Sequence, residues 1–282
     1  MYNITHKFAH LNLKGESFME RCKIISISNQ KGGVGKTTTA LNLAYALGED
    51  GKNKVLLIDL DPQSNLTMCF GIDRPEELET TIYDLMMCVI DEKKLPDKNR
   101  YILSFNNLDL IPCSIELSAV EMSLVNVMSR EVILKMLLEN FKEDYDYIII
   151  DCMPALGMLT VNALAACDSV VIPATAQYLS AKGLELLLHT IAKVQRRINP
   201  QIKIDGILLT MINDRTKLTK EILHLMNEAY SEHVKIFDTR IPISVKVGEA
   251  NFRYKSIVEY EPKSKVAIAY KQFGKEYLEY GN

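Results

Sequence analysis

A chain of 282 residues, 48% apolar and 24% charged, is long enough to bury a substantial core, and 13 glycines and 9 prolines are too few for a collagen-like or low-complexity protein. The net charge of −3 argues against a polypeptide that is basic throughout and coats nucleic acid. No run of 18 apolar residues offers a membrane-spanning helix, and the start, MYNITHKFAHLNLKG, has neither a continuous apolar stretch nor the small-residue cleavage site of an export signal.

Residues 1–20 are mixed polar and aperiodic, and are expected to be a flexible arm ahead of a domain over 21–282. Lys14-Gly15-Glu16 can be encoded by a purine-rich ribosome-binding sequence, and Met19 follows at a suitable distance. Translation is therefore expected to begin at Met19, and peptides from residues 2–18 in native protein would refute that. Beyond the arm, β-branched apolar runs at 23–29, 54–60, 108–113, 145–151, 169–174 and 204–212 are continuous rather than alternating, as strands covered on both faces should be. Helical spacing marks 129–142, through Val132, Ile133, Met136, Leu137 and Phe141, and 180–198, where Ser180 can cap the start and Asn199-Pro200 ends the run. Strand, helix and strand in repetition predict a single-domain α/β fold, a mostly parallel twisted sheet with helices on both faces. The six cysteines form no C-x-x-C pair and no zinc spacing, so reduced and mostly buried thiols are expected.

Between the first strand and a helix through 40–47 lies Asn29-Gln30-Lys31-Gly32-Gly33-Val34-Gly35-Lys36-Thr37-Thr38-Thr39. Its glycines let consecutive backbone amides turn toward an anion at the N-terminus of the following helix, the arrangement of a phosphate-binding loop. Lys36 is placed to reach the β- and γ-phosphates of a nucleotide, and the Thr37 hydroxyl to ligate Mg2+. The strict pattern G-x-x-x-x-G-K-[ST] fails at its first glycine, which is Gln30, and an additional lysine, Lys31, stands five residues before Lys36. The second strand ends in Asp59-Leu60-Asp61-Pro62-Gln63, whose two carboxylates project from one side at the carboxyl end of a parallel strand. A third carboxylate, Asp151, closes the apolar run Tyr147-Ile148-Ile149-Ile150, where a strand-terminal Asp stands beside the metal of a phosphate loop.

Residues 29–39 resemble the deviant Walker A motif of the ParA/Soj partition ATPases, within the wider P-loop group that includes MinD; D-x-D-P-Q at 59–63 and the segment 155–164 extend the resemblance over roughly residues 23–270. It implies ATP and Mg2+ as cofactors, with Lys31, Gly32, Gly33, Val34, Gly35, Lys36, Thr37 and Thr38 around the nucleotide. Lys31 would cross a homodimer interface to the partner's ATP, Asp61 would position the attacking water, and Asp59 would stand nearer the metal shell with Thr37 and Asp151. Where the family usually has two prolines before the loop, this chain has Met153-Pro154, and Ala155–Leu164 would respond to the γ-phosphate. Asn213 and Pro242 match adenine-flanking positions. Charge is unevenly spread: residues 181–282 hold 17 basic and 12 acidic side chains, and the rest 16 and 24. By resemblance, nonspecific DNA binding by the ATP-bound dimer would use Arg215, Lys217, Lys220, Lys246, Arg253 and Lys255, although Ile243 stands where the family often has Arg. The implied protein is a cytoplasmic, nucleoid-associated ATPase of plasmid or chromosome partition, released from DNA when a ParB-type centromere-binding protein stimulates hydrolysis, with no membrane partner. The alternative is a membrane-associated positioning ATPase of the MinD type, which would end in an amphipathic basic helix; KVAIAYKQFGKEYLEYGN lacks that segregation. Iron–sulfur relatives would need bridging cysteines, and biosynthetic relatives generally lack the lysine at 31.

Overall fold

The computed structural model describes residues 22–49, 51–176, 180–213, 216–232 and 234–281, so the expected arm at 1–20 lies outside the described residues. The strands are β1 (Lys23–Ile27), β2 (Val55–Leu60), β3 (Leu103–Phe105), β4 (Leu108–Ile111), β5 (Tyr147–Cys152), β6 (Ser169–Thr175), β7 (Lys203–Ile212) and β8 (Ile236–Pro242). The helices of the N-terminal half are α1 (Lys36–Gly48), α2 (Asn65–Met68), α3 (Ile82–Ile90), α4 (Ser118–Ser123) and α5 (Ile133–Leu138). They are followed by α6 (Met158–Ala166), α7 (Ser180–Arg197), α8 (Lys217–Tyr230), α9 (Lys246–Phe252), α10 (Ile257–Tyr260) and α11 (Lys265–Gly281).

Among the described residues the strands form one eight-stranded sheet in the order β3-β4-β2-β5-β1-β6-β7-β8, parallel throughout except that β3 runs antiparallel to β4. The alternation of Cβ directions divides each apolar strand between two cores. Ile24, Leu56, Ile58, Ile148 and Ile150 face the side covered by α3, α5, α6, α7 and α8, whereas Ile25, Ile27, Leu57 and Ile149 face α1, α10 and α11. Asp59 and Asp151 have the same parity as Leu57 and Ile149. They are also direct neighbours in the β2–β5 register, so both carboxylates arise on the α1 side of the sheet.

Two expected elements differ. The helix anticipated over 129–142 is a single 3-10 turn at Arg130–Val132 followed by the short α5. Ser129 has φ 55°, outside the helical region, and beyond α5 the Asn140 side chain donates to Leu137 O (2.9 Å), where the chain turns and Phe141 is buried. β8 escapes an apolar-run search because it is an edge strand: IFDTRIP alternates buried Phe237, Thr239 and Ile241 with exposed Asp238 and Arg240. All six cysteines are unpaired and five are buried, as their spacing suggested.

Helix α11 buries Val266, Ala267, Tyr270, Phe273 and Tyr277. Phe273 meets Phe237 of β8 edge-on with ring centroids 5.0 Å apart, and a Cβ on Gly274 would lie 2.4 Å from Ala46 Cβ, so glycine permits the close approach to α1. Its apolar stripe is thereby spent inside the fold.

Candidate nucleotide site

The phosphate loop leaves β1 at the centre of the sheet, where β1 is flanked by β5 and β6, and delivers its residues to the carboxyl edge. Gly33 and Gly35 have φ values of 71° and 82°, and Cβ atoms built on Gly32 or Gly33 would meet nothing within 4 Å. The backbone there is open on the side where an anion would lie. Two side chains, through three hydrogen bonds, hold the loop in that shape. Asn29 Nδ2 donates to Pro173 O (2.7 Å), Asn29 Oδ1 accepts from Lys31 N (3.0 Å), and Thr210 Oγ1 of β7 donates to Val34 O (2.8 Å). Thr210 is a polar residue inside an otherwise apolar run, a signal that the sequence carried and that the motif search passed over.

Lys36 is the first residue of α1 and is only 6% exposed. Its Nζ donates to Lys31 O (3.2 Å), curling back along the loop. Burial pushes its pKa down, and Asp151, foremost among the acidic groups nearby, opposes that shift. Asp151 is itself buried, and neither carboxylate oxygen has a hydrogen-bond partner. Burial and the neighbouring Asp59 hold its pKa well above the ordinary carboxylate value, while Thr37, close by but outside hydrogen-bond geometry, and Lys36 favour the ionised form. A buried, unpartnered carboxylate is costly unless a cation answers it. With Thr37 beside it, Asp151 suits the oxygen-ligand shell of Mg2+ bound to a nucleotide.

Asp59 has the opposite accounting. Its Oδ2 accepts from Thr67 N and Thr67 Oγ1, both at 2.8 Å, and its Oδ1 accepts from Asp61 N at 3.2 Å. Complete burial nonetheless raises its pKa to about 6. The sequence reading placed Asp59 nearer the metal shell. Both its oxygens accept hydrogen bonds within the turn from 59 to 67, whereas those of Asp151 accept none. Thr67 also accepts from Cys113 N (2.9 Å), binding that turn to the sheet edge; no motif pointed to it.

Asp61 is 7% exposed and its Oδ1 accepts from Gln63 N (2.9 Å). It lines a cleft of about 650 Å³ together with Gly32, Gly33, Lys36, Thr37 and Thr38. Met68, Asp73, Met211, Phe252 and Tyr254 also line it, none of them singled out by sequence. Pro154 from the loop after Asp151 also reaches the cleft, and that loop is closed by Thr160 Oγ1 donating to Ala155 O (2.6 Å). Asn213 and Pro242 stand at the adjacent ends of β7 and β8, where Ile212 pairs with Pro242. Among the candidate DNA contacts, Lys217 and Lys220 are exposed on α8. Lys246 is paired with Glu249 at 3.0 Å, Arg253 and Lys255 are exposed after α9, and Arg215 lies outside the described residues. Those elements follow β7 and β8, so they share the nucleotide's end of the sheet.

Burial raises the pKa of both acids in the folded chain. For a carboxyl whose folded pKa exceeds its unfolded value, stability is fullest at low pH and is lost as pH rises through the folded pKa. With Asp59 the window is from the ordinary value of 3.8 to about 6. Nucleotide-free protein is therefore expected to melt at a higher temperature at pH 4.5 than at 7.5. Asp151→Asn should raise the melting temperature at pH 7.5 and flatten that dependence; an unchanged profile would show that Asp151 is not a buried charge in the free protein.

Comparison with known proteins agrees with this geometry. Residues 22–204 match the AAA domain family. The sporulation initiation inhibitor protein Soj of Bacillus subtilis is 44% identical over 254 residues, 90% of this chain and 97% of that protein. The chromosome partitioning protein ParA of Myxococcus xanthus is 40% identical, covering 91% of this chain and 88% of its own length.

The chain belongs to the ParA/Soj family of partition ATPases.

A solved structure described as cobyrinic acid a,c-diamide synthase from Mycobacterium smegmatis, with bound ATP analog and magnesium, superposes with a TM-score of 0.79. It is 32% identical, covering 92% of this chain and 96% of that one. For a ParA/Soj protein the departure at Gln30 is informative: its side chain packs at the start of α7, 3.1 Å from where a Gly183 Cβ would be. Lys31 is half-buried and does not line the cleft.

Proposed function

We propose that this chain is an ATP-dependent switch for DNA segregation: ATP joins two copies, the pair holds DNA without regard to sequence, and hydrolysis stimulated by a ParB-type partner releases it. The observation that carries the reading is the different placement of two lysines of one loop. Lys36 lines the chain's own cleft, its ammonium buried near Asp151. Lys31 lies outside that cleft, where its charge serves a nucleotide held by a second copy.

Bound Mg2+ and ATP supply the phosphoryl group and part of the charge neutralisation; Thr37 and Asp151 would hold the metal, and Asn213 and Pro242 would flank the adenine. The chain's residues do the rest. Backbone amides of residues 32–38 orient the phosphates, and Lys36 stabilises charge that develops on them. Asp61 orients the water and accepts its proton. Lys31→Ala should bind ATP yet remain monomeric by light scattering; ATP-dependent dimers of that variant would remove the trans role.

Lys217, Lys220, Lys246, Arg253 and Lys255, with Arg215, would contact phosphates, and pairing doubles a weak monomer patch. The decisive test is binding to a short duplex of arbitrary sequence across a salt series, with ATP, with ADP and with neither. ATP-only binding that falls steeply with salt is expected; binding independent of nucleotide would refute the switch. The membrane-positioning alternative needs a free amphipathic helix, whereas the apolar face of α11 is buried against β8 and α1. No helix among the described residues is long and apolar enough to cross a membrane.

A further inference from the structure

Tyr254 stands in a conformation that bulky residues rarely adopt, with φ 55°. The turn that imposes it is well bonded: Arg253 N donates to Ala250 O (2.9 Å), Tyr254 N to Asn251 O (3.0 Å) and Lys255 N to Ala250 O (3.1 Å). A glycine would satisfy this turn without strain. What the tyrosine adds is contact across the mouth of the cleft. Its hydroxyl donates to Asp73 Oδ1 (2.8 Å), and its ring lies against Gly71, 3.5 Å from the position a Cβ there would take.

The two segments joined in this way have different duties. Gly71 and Asp73 follow α2, which is tied to the catalytic turn through Thr67 and Asp59 and begins four residues after Asp61. Tyr254 lies between Arg253 and Lys255, both exposed and both candidate DNA contacts. Asp73 and Tyr254 also line the nucleotide cleft itself, with Met68 and Phe252 beside them. Strain held at one residue by contacts to another segment is a mark of a functional constraint.

We propose that Tyr254 is a positioning residue: with Asp73 it latches the segment behind Asp61 to the basic turn 253–255, so that a nucleoside triphosphate in the cleft and the DNA-facing turn are set together. The DNA part of this inference rests on the function proposed above; the nucleotide part does not. Closing the latch retains the nucleotide, and by thermodynamic reciprocity the retained nucleotide favours the turn geometry that meets phosphates.

The test uses the full chain, a fluorescent ATP analogue with Mg2+, and a short duplex of arbitrary sequence. Tyr254→Phe and Asp73→Ala should each speed release of the analogue roughly fivefold, the scale of one hydrogen bond, and reduce by a similar factor the tightening of DNA binding by ATP. The double variant should lose no more than either single one, and Asp73→Asn, which keeps an acceptor, should match the unaltered chain. Tyr254→Gly separates positioning from folding: it removes the strain, so its melting temperature should hold or rise while release still accelerates. Unaltered release in Tyr254→Phe, additive losses in the double variant, or normal behaviour of Tyr254→Gly would each overturn the latch. Should the unaltered chain fail to bind DNA with ATP, the proposed function falls, and the release rates still decide the latch.

Discussion

Asp61→Ala should bind ATP within about threefold of the unaltered chain and hydrolyse it roughly 10²–10⁴-fold more slowly, the range for one positioned acid–base group. Binding survives because the groups that hold phosphates, the amides of residues 32–38 and Lys36, owe nothing to Asp61; the loop is shaped by Asn29 and Thr210. Hydrolysis fails because Asp61, of the three carboxylates at the strand ends, is the one that lines the cleft, with its Oδ1 held by Gln63 N. Asp61→Asn refines the result. Its side-chain oxygen can still accept from Gln63 N, preserving the local turn, but it cannot take a proton from water. Asparagine should therefore be as slow as alanine. Normal turnover in either variant, measured as phosphate release with saturating Mg2+ and ATP, would refute the assignment.

Lys36→Ala should weaken ATP binding by at least about 100-fold, since a buried ammonium donating to phosphate oxygens makes charge-assisted hydrogen bonds of roughly 1.5–3 kcal/mol each. The same change alters the free protein. Lys36 is the cation that favours ionised Asp151, so its removal leaves a buried carboxylate with less reason to ionise and drives its pKa further up. The variant should therefore melt lower than the unaltered chain at pH 7.5 and recover part of that loss as pH falls, a steeper dependence of the same sign as the unaltered protein's. Calorimetric titration with ATP reads the first effect and circular dichroism the second. Affinity within a factor of a few of the unaltered chain would mean that Lys36 does not reach the phosphates.

Membership in the family follows from local sequence, because a phosphate loop is a contiguous device: eleven residues specify the turn, the helix start and both lysines. Six strands were legible for a similar reason, since a strand covered on both faces needs a run of apolar residues wherever it occurs. β8 was not, because an edge strand needs only alternate burial and its Asp238 and Arg240 read as loop. The helix expected over 129–142 was overestimated because periodicity records which side chains are buried, and Phe141 is buried from a turn as well as it would be from a helix.

Sequence by itself determined the loop, the two lysines and the three carboxylates, because each is encoded within a few neighbouring residues. Only the tertiary structure distinguished the carboxylates by their surroundings. Asp59 and Asp151 are 92 positions apart in sequence yet adjacent across β2 and β5, and what separates them is their partners: Thr67 and Asp61 for one, no hydrogen bond for the other. The latch from Tyr254 to Asp73, 181 positions apart, is of the same kind. Hydrogen bonds between distant segments depend on how strands are ordered in the sheet, and no local pattern of residues states that order.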